Sequence, residues 1–389
     1  MNLFEAERKR YTQETLSARD AQRQAECIAW APIAFQVSRL MIKFGVLDAL
    51  RDHTDGLTID ELQAATRLSR YALKILLEAS LSIGTVLVTD ETSANATPKR
   101  SCDEAIETET HRDRYLISKT GWFLLTDPAT RVNIDFNHDV NYRGMFYLEE
   151  ALTTGHPEGL KTLGHWPTIY EGLSQLDARV QQSWMAFDHF YSDNSFDEAL
   201  AVVLAKRPRR LMDVGGNTGR FALRCASHDA QMSVTVVDLP GQIAMMRRYV
   251  AGKAGAERIA GYATDILSAG GSLPEGRWDA IWMSQFLDCF SEEQIVGILR
   301  QARRAMNAAT TLYIMETFWD RQRYETASLC LTMTSVYFTA MANGNSKMYH
   351  SDDMRRLIRK AGLTVTAVHD NLGQGHTLLE VSKDEGIRA

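Results

Sequence analysis

An acidic side chain and three glycines lie close together in the segment LMDVGGNTG, residues 211–219. Apolar residues lead to Asp213, which predicts a short strand ahead of the glycines. Glycine has no Cβ, so the backbone can approach a ligand closely and can adopt positive φ without a steric penalty. The segment therefore predicts a ligand-binding turn between a strand and a helix.

A second acidic residue completes this pattern. Apolar residues 234–237 predict another strand, which ends at Asp238. A strand, a glycine turn, a helix and a strand ending in an acid bind nucleotide-like ligands in doubly wound sheets. Because the Asp238 carboxylate can accept hydrogen bonds from both ribose hydroxyls, we expect a ligand that contains ribose.

The position of Asp213 favours one such ligand. A dinucleotide site holds a pyrophosphate at the helix N-terminus that follows its glycines. A carboxylate repels phosphate, but it suits a ligand that carries an ammonium group. S-adenosylmethionine (SAM) has an ammonium, a ribose and an adenine and has no phosphate. We therefore expect SAM to bind here, without a metal ion.

At this point the chain resembles the SAM-dependent methyltransferases, specifically the acetylserotonin and plant-type small-molecule O-methyltransferases. The resemblance runs from about residue 32 to about residue 379 and is most specific in the SAM half. It is carried by LMDVGGNTG (211–219), VTVVDLP (234–240), GYATDIL (261–267) and WDAIWMSQFL (278–287).

The resemblance implies a set of SAM contacts. Asp265 and Ile266 would flank the adenine, and Ser284 and Gln285 would lie beside the methionine moiety. Asn217 replaces a glycine that many family members carry, and we expect this change to be tolerated. The expected cofactor-binding residues are Asp213, Gly215, Gly216, Asn217, Gly219, Asp238, Leu239, Asp265, Ile266, Ser284 and Gln285.

The residues after the fourth strand of the SAM half depart from the family pattern. Family members carry L-H-D-W-x-D-E, where the histidine takes a proton from the methyl acceptor. This chain reads LDCFSEE at 287–293, so Asp288 stands in the place of the histidine. Proton transfer from a phenol is uphill by roughly 8 kcal/mol to an ordinary aspartate and by about 5 kcal/mol to a histidine. Either burial raises the pKa of Asp288, or another group acts, or the reaction needs a weaker base.

Three more residues are candidates for the chemistry. His189 and His350 could replace the missing histidine, and Glu316 matches the acidic residue that the family carries after the fifth strand. Each histidine could instead be a satisfied polar group, and Asp288 could cap the following helix. The expected catalytic residues are Asp288, His189, His350 and Glu316.

Aromatic residues are frequent between positions 122 and 193, a region that lines the acceptor pocket in the family. A family helix that matches residues 337–343 also forms a wall of that pocket, although its aromatic and methionine residues suit a core equally well. The expected acceptor-binding residues are Trp184, Phe187, Tyr191, Met341 and Asn345.

The first 121 residues predict a winged-helix arrangement. Apolar spacing indicates a helix at about 21–51, a second that begins after Thr58, and a third at 72–83. Residues 85–88 and 115–118 predict a hairpin whose polar tip spans 90–112. Such modules often bind DNA, but Arg67, Arg70 and Lys74 lie beside several acids, which gives little attraction for a duplex. In the family the module dimerises, so we expect a homodimer formed through it and no nucleic-acid partner.

The expected fold class is α/β: a Rossmann-like, mixed seven-stranded SAM-binding domain behind an N-terminal helical, winged-helix dimerisation domain. The expected boundaries are 1–121 for the dimerisation domain, 122–194 for a helical, aromatic-rich, substrate-lining linker and 195–389 for the SAM domain. The 389 residues carry a net charge of −6, five scattered cysteines and no C-x-x-C motif. No segment resembles a signal peptide or a membrane span, which predicts a cytoplasmic protein with no membrane partner.

Together these observations predict a SAM-dependent methyltransferase that acts on a small aromatic or phenolic metabolite, free or carrier-bound, with O-methylation implied by the resemblance. The replaced histidine keeps C-methylation of an activated phenolic ring open, and N-methylation also stays open. A changed reaction of the decarboxylase or oxygenase type is a further alternative. A SAM-sensing, DNA-binding regulator is an alternative from a different class.

Overall fold

The structure is a computed structural model, and it describes residues 12–89 and 113–384. Two compact units are present: an N-terminal unit, Gln13–Asp135, and a C-terminal unit that begins at Phe136. Residues 122–135 of the predicted linker belong to the first unit and residues 136–194 to the second. The predicted hairpin tip at 90–112 lies outside the described residues.

The described part of the N-terminal unit combines helices with one antiparallel hairpin, as the sequence predicts. Its elements are α1 (Ala18–Ala29), α2 (Ala31–Lys43), α3 (Val46–Arg51), α4 (Ile59–Thr66), α5 (Arg70–Ser82), β1 (Val86–Thr89), β2 (Arg114–Ile117), α6 (Lys119–Thr126) and α7 (Pro128–Phe136). The predicted helix at 21–51 is divided into three, because α1 ends before Trp30 and Gly45 adopts a φ of 72°. Pro32, near the start of α2, suits a helix N-terminus because it has no N–H to leave unpaired.

Caps and a small apolar core hold this unit together. Thr58 and Glu61 form the predicted capping box: the Glu61 N–H donates to Thr58 Oγ1 at 3.3 Å, and the Thr58 N–H donates to Glu61 Oε2 at 2.7 Å. The largest fully buried side chains of the unit are Met41, Leu47, Leu50, Leu62, Leu73 and Leu77. The hairpin pairs Val86 with Ile117.

A mixed seven-stranded sheet forms the centre of the C-terminal unit and confirms the expected fold class. Its order is β5-β4-β3-β6-β7-β9-β8, where the first five strands are parallel and β9 runs antiparallel to β7 and β8. The strands are β3 (Arg210–Val214), β4 (Ser233–Asp238), β5 (Ile259–Ala263), β6 (Ala280–Ser284), β7 (Thr311–Glu316), β8 (Leu363–Leu372) and β9 (His376–Lys383).

Helices precede the sheet and connect its strands. They are α8 (Leu148–Thr154), α9 (Ile169–Gly172), α10 (Ala178–Ser192), α11 (Phe196–Leu204), α12 (Arg220–His228), α13 (Pro240–Val250), α14 (Glu292–Ala305), α15 (Glu325–Tyr337) and α16 (Ser351–Lys360). Across residues 12–89 and 113–384, the helices lack the length and apolar character needed to cross a bilayer.

Side chains that alternate along β3 bury themselves on opposite faces of the sheet. Met212 and Val214 pack in the same core as α14 and α16, whereas Leu211 packs with α11, α12 and α13. Helices therefore cover both faces, and the carboxyl ends of the parallel strands meet at one edge. Asp213, Asp238, Ser284 and Glu316 come to that edge because each lies at or near the end of its strand.

Candidate active site

A cavity of about 370 Å³ opens at this edge of the sheet. Every residue that lines it lies in the C-terminal unit, between positions 168 and 348. One end is formed by the glycine turn after β3 and by the ends of β4 and β6. The other end, which we call the acceptor end, is formed by Tyr170, Trp184, Phe187, Asp288 and Tyr337.

The conformation of the glycine turn requires residues that have no side chain. Gly215 has a φ of 76°, and a Cβ there would lie 2.2 Å from the ring of Phe286. Gly219 has a φ of 77° and precedes α12, and a Cβ there would lie 2.7 Å from Met246. Of the four predicted glycine-turn positions, 215, 216 and 217 line the cavity, and Gly219 does not.

Asp238 holds the turn from the neighbouring strand. Its carboxylate accepts hydrogen bonds from the backbone N–H of Asn217 at 2.9 Å and of Leu239 at 2.7 Å. Burial raises the pKa of Asp238 to about 6, against the lowering effect of these two donors. Asn217, which has a φ of 48°, also accepts a hydrogen bond from Gln242 at 2.9 Å. Asn217 therefore fixes the turn with its side chain where the family carries a glycine.

Three buried polar atoms at this end have no hydrogen-bond partner within the described residues: Asp213 Oδ2, Ser284 Oγ and Gln285 Oε1. All three residues line the cavity, as do Asp265 and Ile266. Burial, and then the charge of Asp238, raise the pKa of Asp213 to about 8. Buried polar groups are costly unless they are paired, so these atoms suit a polar ligand. An ammonium group opposite Asp213 and a ribose near Asp238 match SAM.

Asp288 is at the acceptor end, in a short turn that follows β6. Its side chain is only 5% exposed, and burial raises its pKa to about 6. The Cys289 thiol donates to Asp288 Oδ1 at 3.4 Å. Asp288 does not cap α14, because Ser291 does so through a capping box with Gln294.

Glu316 supports the turn that carries Asp288 and does not line the cavity. Its Oε1 accepts hydrogen bonds from the backbone N–H of Phe286 at 3.2 Å and of Leu287 at 2.9 Å. Burial and the nearby Asp288 charge raise the pKa of Glu316 well above its usual range. Asn343 also fixes this turn, since its amide donates to the Cys289 carbonyl at 2.5 Å.

The two candidate histidines have different surroundings. His189 lines the cavity from α10, where burial and then the charge of Arg220 lower its pKa, so it is neutral near pH 7. His350 does not line the cavity. It caps α16 by accepting a hydrogen bond from the Asp352 N–H at 3.1 Å, and its ring lies edge-on to Trp319.

Family comparisons agree with this geometry. Residues 146–364 match a protein-family model described as an O-methyltransferase domain, and residues 22–92 match one described as a Dimerisation2-like domain. The chain belongs to the O-methyltransferase family. It is a SAM-dependent methyltransferase, which confirms the enzyme class expected from the sequence.

Individual relatives match over different lengths. O-methyltransferase SfmM3 of Streptomyces lavendulae is 28% identical over 60% of this chain and 77% of its own length. The 3-hydroxy-5-methyl-1-naphthoate 3-O-methyltransferase of Streptomyces sahachiroi is 33% identical over 29% of this chain and 32% of its own length. The apo crystal structure of the SAM-dependent methyltransferase SibL has a TM-score of 0.66 at 23% identity, covering 92% of this chain and 98% of that one, a likeness of fold.

Aromatic side chains form the acceptor end of the methyltransferase cavity. Phe187 stacks on Phe136 with ring centroids 3.9 Å apart, and the Trp184 indole donates to the Tyr337 hydroxyl at 2.8 Å. Tyr191 and Asn345 also line the cavity. Met341 does not: it is fully buried in the core, and a Cβ on Gly144 would overlap its sulfur.

Several residues that line the cavity were not predicted from the sequence. Tyr170, Asp188, Arg220 and Cys289 line the methyltransferase cavity, and none of them was predicted from the sequence to belong to the site. Asp188 directly precedes His189, which the sequence had already indicated as a candidate site residue. Only the folded chain reveals its contact with Asn217, whose amide donates to Asp188 Oδ2 at 3.2 Å.

Proposed function

We propose that this methyltransferase transfers a methyl group from SAM to a hydroxyl on a small aromatic or phenolic metabolite. The observation that carries the proposal is that one cavity joins the Asp213–Asp238 end to an aromatic end with a buried carboxylate. An aromatic wall suits a planar acceptor, and a carboxylate can receive its hydroxyl proton. The naphthoate methyltransferase from S. sahachiroi supports an aromatic acceptor by analogy.

Burial makes Asp288 a better base than an ordinary aspartate. With its pKa near 6, proton transfer from a phenol of pKa about 10 is uphill by roughly 5 kcal/mol. An aspartate in water would face about 8 kcal/mol, so burial brings Asp288 close to the strength of the histidine it replaces. We propose that Asp288 takes the acceptor proton and that Glu316 acts through it by holding its turn.

The other predicted residues have supporting roles in this proposal. When bound, SAM supplies an electrophilic methyl group on a sulfonium, which becomes a neutral thioether once the methyl has left. Asp238 binds the ribose diol, and Asp213 faces the ammonium. Ser284 and Gln285, whose side chains have unpaired buried atoms, contact the methionine moiety. The aromatic wall orients the acceptor and excludes water.

C-methylation of an activated phenolic ring is the second candidate, and the replacement of the family histidine by Asp288 favours it. Partial ionisation of the hydroxyl makes the ortho carbon nucleophilic. After methyl transfer to carbon, loss of the ring proton restores aromaticity, so a weak base such as Asp288 suffices for that step.

The decisive experiment is incubation of the full chain with methyl-labelled SAM and a panel of phenols, hydroxybenzoates and aromatic amines. Mass spectrometry detects the added methyl group, and NMR locates it. A methoxy product supports O-methylation, and a ring-methyl product supports the second candidate. If SAM binds normally but no product carries the labelled methyl group on oxygen or on carbon, the result contradicts both O-methylation and C-methylation.

We also propose that the protein is a homodimer formed through its N-terminal unit. Residues 22–92 match the Dimerisation2-like domain. Three large apolar side chains around the α1–α2 junction are exposed: Ile28 at 68%, Trp30 at 60% and Ile33 at 56%. Adjacent exposed apolar side chains are typical of a surface that another protein covers.

A further inference from the structure

The cavity has a strong excess of acidic side chains. Seven acidic residues, one arginine, one histidine and no lysine are among the described residues that line it. The arginine, Arg220, forms an ion pair with Asp193, so these two charges offset each other and six acidic residues remain. The acidic residues are Glu171, Asp188, Asp193, Asp213, Asp238, Asp265 and Asp288. A ligand with a net negative charge is therefore poorly matched to this cavity.

Two of these carboxylates lie on segments that contribute to the acceptor end of the cavity: Asp188 follows Phe187 on α10, where it also accepts a hydrogen bond from Asn217, and Asp288 follows β6. Asp288 is nine-tenths buried there, and Asp188 lines the same space from α10. Burial raises the pKa of Asp188 to about 7, with further contributions from the charges of Asp193 and Asp288. Asp188 and Asp288 therefore line one cavity in which burial disfavours both negative charges, and a bound cation would offset that cost.

Binding of SAM alone does not neutralise the negative charges of the acidic residues that line the cavity. Its sulfonium and ammonium are positive and its carboxylate is negative, so it brings one net positive charge. In the proposed binding mode Asp213 faces the ammonium and Asp238 binds the ribose. Neither of these contacts involves Asp188 or Asp288, which also line the cavity.

The aromatic wall around this space also suits a cation. Phe187 and Tyr337 line the cavity together with Asp188 and Asp288. Burial raises the pKa of the Tyr337 hydroxyl, so this side chain remains a neutral aromatic ring. A cation near an aromatic face is stabilised by the electrons of the ring, most strongly where water is excluded. Carboxylates and aromatic rings together are the groups that bind organic ammonium ions.

We propose that the methyl acceptor carries a protonated amine as well as its aromatic hydroxyl, and that Asp188 binds the ammonium while Asp288 faces the hydroxyl. This inference rests on the proposed methyl transfer and narrows its substrate class to phenols that carry an alkyl ammonium group. An alkyl ammonium keeps its charge at neutral pH, since its pKa is near 10, as in lysine. Carboxylated phenols of the same size are excluded by repulsion from the two aspartates.

Three phenols of similar size test the proposal: 4-hydroxyphenethylamine, 4-propylphenol and 3-(4-hydroxyphenyl)propionate. Their affinities are measured by calorimetry on the full chain with S-adenosylhomocysteine present. We expect the amine to bind roughly 10- to 100-fold more tightly than the neutral phenol, and the carboxylate to bind most weakly. Asp188→Asn should remove most of this preference. The matched control Glu171→Gln, an exposed acid of the same cavity, should keep it.

Three results would overturn the inference. Equal affinities for the three phenols in the wild type would show that the charge of the acceptor is not recognised. A loss of S-adenosylhomocysteine affinity in Asp188→Asn, with the amine preference unchanged, would assign Asp188 to the cofactor instead. Failure of the proposed methyl transfer is a separate outcome, because amine binding is measured without turnover. Equal methylation of all three phenols would sustain the proposed function and refute the amine class.

Discussion

At the scale of single residues, the ionisation of Asp288 is expected to control the rate. It can accept a proton only when ionised, and its pKa is raised to about 6 by burial. We therefore expect kcat to increase with pH through a midpoint near 6 and to level off above about 7, whereas an ordinary aspartate would give a plateau from about 5 upward. A pH–rate profile at saturating SAM measures this midpoint.

Asp288 variants separate its role from that of the cofactor site. Asp288→Asn should lower kcat by about 10²- to 10⁴-fold, the usual contribution of a general base, and leave SAM affinity unchanged. Asp288→His restores the family residue and should retain methyl transfer to oxygen. Wild-type turnover in Asp288→Asn would mean that another group, such as His189, takes the proton.

We expect Asp213 to affect both cofactor binding and stability. Its pKa is raised to about 8 in the folded protein, against about 4 in the unfolded chain. Between these values the folded state binds more protons than the unfolded state, so stability falls as pH rises from about 4 to about 8. Asp213→Asn removes this titration. We expect the melting temperature of Asp213→Asn, relative to that of the wild type, to rise as the pH increases over this range. We also expect the variant to bind SAM more weakly.

Thermal melts of both proteins at about pH 5 and about pH 8 check this expectation. A difference in melting temperature that does not change with pH would mean that Asp213 is ionised in the folded protein. Asp197→Asn, at an exposed position on α11, is the control for a simple loss of surface charge.

At the scale of elements, the turn after β6 depends on the side chain that ends β7. Glu316 accepts two backbone hydrogen bonds from residues 286 and 287, and the turn carries Asp288. Glu316→Ala leaves two N–H groups without a partner, which costs about 1–3 kcal/mol each when they are buried. We expect lower kcat and lower thermal stability with unchanged SAM affinity. Glu316→Gln should retain both kcat and thermal stability, because its amide oxygen can accept the same two hydrogen bonds.

The sequence predicts elements more reliably than it predicts contacts between them. The strand and glycine turn at 211–219 and the capping box at Thr58 are local patterns, so they could be predicted from residue types alone. The burial of Met341 depends on distant packing, which no local pattern encodes, whereas the cap formed by His350 is a local contact that was not predicted. His350 caps a helix beside Trp319, and Met341 packs against a glycine about 200 positions earlier in the chain. The hydrogen bond of Asp188 could not be predicted from a local pattern because its partner, Asn217, lies 29 residues away.

At the scale of the whole molecule, the two units allow assembly and cofactor binding to be tested separately. Every residue that lines the cavity belongs to the C-terminal unit, whereas the exposed Ile28, Trp30 and Ile33 belong to the N-terminal unit. We expect the double variant Trp30→Glu/Ile33→Glu to convert the proposed dimer to a monomer, because charges at an apolar interface must be desolvated without a partner.

Sedimentation velocity on the full chain measures this change, and calorimetry shows whether SAM binding survives in the monomer. SAM affinity should be retained, since none of the cavity residues is altered. Tyr262→Glu, on the edge strand β5 of the C-terminal sheet, is the control and should leave the dimer intact. A wild-type monomer would contradict the dimer outright. A dimer that persists in the double variant would place the interface on another part of the N-terminal unit, such as the exposed Tyr71 and Ile75 of α5.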